Sequence, residues 1–223
     1  MGSRVVVVGA SGFGRECLDV LDAMAAAGEE VEVVGVVDDA PSAVNLERLD
    51  ARGVAYLGTI ASWRAGGDST ARFVLGIGSP RVRELLVGAL EGAGLRAFAA
   101  VHPSATLGAR CELAEGVVVC AGAVVSTNVR LGRHVHVNPN ATIGHDAVLE
   151  EFVSVNPAAV ISGEVLVGRG ALVGAAATVL QNLTVGAGAL VGAAALVTRD
   201  VPAGVVVKGV PGRWTEVGDA AGG

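Results

Sequence analysis

Large rings are nearly missing from this sequence: aromatic residues make up 3% of it, although 52% is apolar. A core built around Phe, Tyr and Trp is thereby excluded. The abundance of glycine, 33 of 223 residues, points instead to β-branched residues and alanine packed at tight turns. A basic excess is missing too. The formal charge is −6, which leaves no electrostatic footprint for nucleic acid. No apolar run reaches the roughly eighteen residues needed to span a bilayer, so no membrane segment is expected. The opening MGSRVVVVGAS, with one Arg and a four-Val run, is a buried strand and too short for a signal peptide. Cysteine is scarce. Cys17, Cys111 and Cys120 are odd in number and form no CxxC pair, so reduced thiols in a cytoplasmic protein are expected.

What is present divides into two styles. RVVVVGA, VEVVGVVDD and ARFVLGIGS read as strands, alternating with the helical patterns GRECLDVLDAMAAAG and SPRVRELLVGALEGAG. This βαβ logic predicts a small Rossmann-like domain over residues 1–98, a parallel sheet covered by helices. From VHPSATLG onward the character changes. Taken in sixes from Leu107 to Pro202, every hexad carries Leu, Ile or Val at position one and Ala, Val, Leu or Cys at position five, with no insertion. That regularity is a repeat architecture.

Hexads whose first and fifth side chains point inward make short parallel strands, three per coil, stacked at about 4.8 Å. A left-handed parallel β-helix of roughly five coils is expected over residues 99–203. Glycine at position two is expected to allow the turn. Residues 204–223 are read as a C-terminal tail, with VPAGVVVKGVPGRW covering the end of the helix and GDAAGG frayed. Three hexads per coil means that residues eighteen apart stack. Val148 then meets Leu166 on one face and Leu172 meets Leu190 on another, and such apolar pairs suit contact with a second subunit.

The register places His145 and Asp146 at positions three and four, outward near a corner. A surface histidine on a solenoid carries no chemistry by itself. An exposed imidazole beside a carboxylate, however, is the usual equipment of a general base, the acid holding the ring tautomer. Asn138, at position two of its hexad, is expected to face out as well, stacked on Asn156 in a polar column nearby. Metal is the competing reading, since His102, His134, His136 and His145 are all available. No two of them stack at eighteen, so no metal site is expected. The turn GASGFG (Gly9 to Gly14) follows a strand and opens a helix. It can present N–H groups to phosphate, but its G-x-x-G-x-G spacing is not the dinucleotide fingerprint. It can equally be a tight turn without ligand. Asp38 and Asp39 at the end of the second strand can accept hydrogen bonds from a base or ribose.

The motifs VVVVGASGFGRE, VVGVVDD, VLGIGSPRVR, AVHPSATLG, VNPNATIGHD and VKGVPGR occur in this order. In that order the chain resembles the bacterial sugar acetyltransferases that join a Rossmann-like domain to a left-handed β-helix. These include the N-acetyltransferases of UDP- or GDP-linked 4-amino sugars and the sialic acid O-acetyltransferase relatives. The resemblance implies that His145 is the catalytic base, that Asp146 orients it and that Asn138 lines the acceptor pocket. It also implies a homotrimer with active sites between subunits. Acetyl-CoA, the co-substrate, would lie along the later coils near Gly163, Ala175 and Ala193. A nucleotide on the acceptor would sit on Gly12, Phe13, Gly14, Asp38 and Asp39.

Two departures bear on the acceptor and the cofactor. Phe13 stands where the family's nucleotide-sugar enzymes carry a histidine, and Gly78-Ser79-Pro80 replaces their GDN or GNN. Ser154 stands where many members place a further histidine at the acetyl-CoA site, and His136, one coil earlier, is expected to stack on it and compensate. The reading is therefore transfer of acetyl from acetyl-CoA to an amine or hydroxyl of a sugar, nucleotide-linked by resemblance. The alternatives are a small non-nucleotide amine of specialised metabolism, or a non-catalytic ligand-binding regulator of a sugar biosynthetic enzyme.

Overall fold

The computed structural model describes residues 2–66 and 70–215, so the closing GDAAGG lies outside the described residues. The chain divides into two compact units, Met1–Pro103 and Ser104–Gly223. In the first, β1 (Ser3–Val8) lies between β2 (Val31–Val37) and β3 (Arg72–Leu75) in a parallel sheet of order β2-β1-β3. Val5 to Val8 are fully buried, as a strand covered on both faces requires. Helix α1 (Gly12–Ala26) buries Cys17, Leu18, Val20, Leu21 and Met24 at helical spacing.

Two short helices escape the periodicity reading: α2 (Ala43–Ala51) and α3 (Ile60–Gly66). The first buries only Leu49, so it leaves no apolar stripe in the sequence. The last helix of the unit, α4 (Pro80–Glu91), starts at Ser79, whose side chain accepts the Val82 N–H. On α4, Arg83 is fully buried and donates to the Ile77 and Gly78 carbonyls at 3.1 and 2.9 Å. Burial pushes its guanidinium down to about 9.

The second unit is a parallel β-helix whose rungs are two residues long. Its first face stacks Val118–Val119, His136–Val137, Ser154–Val155, Leu172–Val173 and Leu190–Val191. The second face runs from Thr106–Leu107 through Thr142–Ile143 to Leu196–Val197. The third runs from Glu112–Leu113 through Val148–Leu149 to Thr184–Val185. Each step between these rungs is eighteen residues, as in Val148↔Leu166 and Leu172↔Leu190. Positions one and five of the hexads fill the prism, with Val119, Val137, Ile143 and Val155 at 0% exposure.

The turns are made differently from the sequence expectation. Among the described residues eleven non-glycine positions have positive φ, Arg110, Asn128, Asp146, Glu164 and Asn182 among them, and all eleven occupy position four. The left-handed residue of each corner is therefore the fourth, where Asn and Asp are tolerated and glycine is free. Glycine at position two has another cause. A Cβ on Gly108, Gly144, Gly168 or Gly174 would come within 2.5–2.6 Å of the backbone of the next coil.

The helix also runs further than five coils. Val201 bridges to Val185, and Val206–Lys208 stacks in parallel on Leu190–Val191 before Arg213–Thr215 returns antiparallel. The guanidinium of Arg199 lies over the Trp214 ring at 4.5 Å. Among the described residues no helix is long and apolar enough to cross a membrane.

Candidate functional site

His145 and Asp146 form the corner between the second-face rung Thr142–Ile143 and the third-face rung Val148–Leu149. Side chains adjacent in sequence seldom face each other. Here they do, because Asp146 takes φ of 61°, which an aspartate tolerates better than most residues. The corner is tied from both sides: the Asp146 N–H donates to the Thr127 carbonyl at 3.0 Å and the Glu164 N–H to the His145 carbonyl at 2.8 Å.

The side chains then complete a chain of contacts. His145 Nδ1 lies 2.7 Å from Asp146 Oδ2, and Asn128 Nδ2 donates to Asp146 Oδ1 at 2.9 Å. These partners, Asn128 first and His145 second, hold the Asp146 carboxyl below its ordinary range. An ionised carboxylate against Nδ1 selects the Nδ1–H tautomer and leaves the lone pair on Nε2. That nitrogen lies over Gly163, one coil further on, where a Cβ would stand 2.5 Å from Nε2 and 2.6 Å from Cε1. The imidazole is 59% exposed, so a substrate can reach it.

Glu164 follows Asp146 up the same corner. The ligand atoms of His145, Asp146 and Glu164 lie within 4.8 Å of one another, all exposed. The other histidines of the β-helix do not join them: His134 and His136 are buried. Beside Asp146 a cleft of about 470 Å³ is lined by Arg110, Cys111, Glu112, Asn128, Arg130 and Val148. Glu112, Arg130 and Val148 also border a larger cleft of about 670 Å³ on the third face, which reaches Arg169.

The remaining residues singled out by the sequence fall elsewhere. Asn138 does not face out: it is 7% exposed, and its amide donates to the Val155 carbonyl at 2.9 Å and contacts Asn156 at 3.4 Å. His136 and Ser154 pair directly in register on the first face, both buried. Ala175 and Ala193 stack at the corner after the first face, where the Ala194 N–H meets the Ala175 carbonyl at 2.8 Å. Gly163 belongs to the His145 corner, so these three small residues occupy two different edges of the prism.

In the first unit, Gly12 is open, with no atom within 4 Å of where a Cβ would stand, whereas Gly14 packs against the Gly9 carbonyl. Phe13 between them is half-buried. Asp38 accepts from the Ala10 and Ala40 N–H groups at 2.8 and 2.9 Å, and Asp39 from the Ile60 N–H at 2.8 Å. Ser79 caps α4. Both carboxylates beside the glycine turn are thus engaged with main chain. Asn128 and Glu164 escaped the sequence reading, although the eighteen-residue rule applied to Asp146 points to both.

Residues 4–90 match the PglD N-terminal domain. PerB from Caulobacter crescentus, solved with CoA and GDP-perosamine, is 30% identical, with 96% of this chain and 98% of that chain covered and a TM-score of 0.83. The acetyltransferase domain of PglB from Neisseria gonorrhoeae FA1090, solved with acetyl coenzyme A, is 28% identical over 96% and 100%, with a TM-score of 0.83. WeeI from Acinetobacter baumannii AYE is similar at the same 28%, 96%, 100% and 0.83. No curated protein matches the chain.

Proposed function

This chain belongs to the bacterial sugar acetyltransferases that join a PglD-type N-terminal domain to a left-handed hexapeptide β-helix, and we propose that His145 is its general base. It is an acetyl-CoA-dependent acetyltransferase. The observation that carries the proposal is the exposed imidazole with Asp146 on Nδ1 at 2.7 Å and a bare glycine beneath Nε2. The acceptor is read as the amine of a nucleotide-linked amino sugar, by likeness to PerB with GDP-perosamine.

Transfer is direct. The acceptor nitrogen attacks the thioester carbonyl and gives its proton to Nε2, and the tetrahedral intermediate collapses with CoA thiolate as leaving group. The imidazolium formed, stabilised by Asp146, returns its proton to the thiolate. A positioned base supplies about 10²–10⁴ in rate, with proximity supplying much of the rest.

The site is read as lying between subunits of a homotrimer. Within one chain His145 and Gly163 share one edge, whereas Asn138, Ala175 and Ala193 share another, next to His136 and Ser154. A groove uniting the two edges needs a second copy. The third face carries the apolar stack Val148–Leu166 and the first face carries Leu172–Leu190, two different surfaces that a closed ring would bring together. None of the three cysteines is in a disulfide, which fits the reducing cytoplasm where acetyl-CoA is made.

The test is CoA release from acetyl-CoA with a panel of acceptors: a nucleotide-linked 4-amino sugar, the free amino sugar, and hydroxyl counterparts. Wild type should release CoA with the nucleotide-linked amine first, and His145→Ala should lower turnover at least about a hundredfold. Turnover of the alanine variant within tenfold of wild type would remove His145 as the base.

A further inference from the structure

We propose that Asn128 is a positioning residue for this reaction, clamping Asp146 so that His145 keeps its Nδ1–H tautomer with Nε2 as the base. The inference rests on the reading of His145 as base. Its ground is the division of the Asp146 carboxylate: Oδ2 faces His145 Nδ1 at 2.7 Å, and Oδ1 takes the Asn128 amide at 2.9 Å from one coil earlier. With both oxygens held, the carboxylate plane cannot turn about its last torsion.

The surroundings show why a clamp is needed. Glu164 stands one coil further on, next to Gly163, with its carboxylate within 4.8 Å of the pair, a like charge that repels Asp146. Arg110 and Arg130 line the adjoining cleft together with Glu112 and Cys111. Neither arginine has an ion pair among the described residues, so each is an alternative partner for a carboxylate released from the imidazole. A neutral donor at 128 holds Asp146 without adding charge.

The backbone narrows the choice further. Asn128 has φ of 58°, a conformation that favours Gly, Asn and Asp. Of these three, glycine offers no donor and aspartate adds a charge. Among these three, asparagine alone satisfies the corner and the carboxylate together. The largest cause lowering the Asp146 carboxyl is this same hydrogen bond, so its loss raises that group toward its ordinary range.

The test compares Asn128→Gly and Asn128→Asp with wild type, since both variants suit the left-handed backbone. Three readouts are taken: kcat and the acetyl-CoA KM, the pH dependence of kcat, and the side-chain ¹⁵N shifts of His145, assigned by their absence in His145→Ala. Asn128→Gly should lower kcat about tenfold, with KM within twofold. The limb of its profile below about pH 5 should move to higher pH, because Asp146 now protonates more readily. Asn128→Asp should lower kcat further, towards about a hundredfold, and move the limb further in the same direction. The nitrogen shifts should pass from the Nδ1–H tautomer to a mixture in both. Unchanged shifts and pH limb, with only the melting temperature altered, would overturn the proposal and leave Asn128 a coil-stabilising residue. If His145→Ala keeps its turnover, the base reading fails separately, and the ¹⁵N shifts still decide whether Asn128 sets the tautomer.

Discussion

His134 and His145 lie on the same β-helix, yet one is buried in a stack and the other stands exposed beside a carboxylate. His134 occupies position four of its hexad with φ of 57° and is fully buried. Its ring lies parallel to Phe152, one coil on, with centroids 5.4 Å apart and 7° between planes, and the Arg169 guanidinium covers Phe152 at 5.0 Å. His145 occupies position three and is 59% exposed. Position four is where side chains meet their vertical neighbours, as His134 meets Phe152 and Asp146 meets Asn128. Position three projects into solvent at the corner. A histidine at three followed by an acid at four therefore yields an accessible, oriented imidazole, whereas a histidine at four below an aromatic yields a stack.

This contrast can be broken most severely at Gly163. Valine there should push the ring away from its place, and a displacement of about 1 Å costs about a hundredfold in kcat, measured as CoA release on a variant that remains folded by circular dichroism. Asp146→Asn keeps the shape and the left-handed corner but removes the charge opposite the imidazolium. It should lower kcat about ten- to a hundredfold, and because the wild-type carboxyl is held below its ordinary range, wild type itself should show no loss from Asp146 protonation above about pH 5. His134→Ala should reverse the pattern: kcat within twofold of wild type, and a stability loss of about 2–3 kcal/mol, or roughly 4–12 °C in Tm. A large fall in turnover in that variant would put His134 in the site and end the distinction. Arg169→Gln should do least, removing a cation–π contact and an exposed ion pair with Glu151, together about 0.5–1 kcal/mol, and lowering Tm by about 1–4 °C.

The hexad register is legible from Leu107 onward because aliphatic residues at positions one and five recur without a break, and that register suffices to place His145 and Asp146 outward. The turn position is not legible in the same way. Glycine serves two purposes in this chain, positive φ at Gly116 or Gly122 and lack of a Cβ at Gly144 or Gly168, and the letter alone does not separate them. Asn128, Asn140, Asp146 and Asn182 at position four are the available signal, since Asn and Asp favour the left-handed region. Asn138 departs from expectation because position two lies outside the prism yet is buried here, its amide tied to Val155. In the first unit the main-chain bonds of Asp38 and Asp39 stay hidden, since sequence does not reveal whether a carboxylate at a strand end faces a ligand or its own loop.

The placement of Gly163 under His145 has a consequence for how the chain can change in length. The ring and its floor belong to successive coils, eighteen residues apart, as Asn128 and Asp146 are. Gaining or losing a single hexad between them would leave every strand with its aliphatic pattern intact and still rotate all later corners by one face, carrying a different residue beneath the imidazole. Length in this stretch is therefore quantised by the whole coil: a fold that accepts sixes has a site that accepts only eighteens.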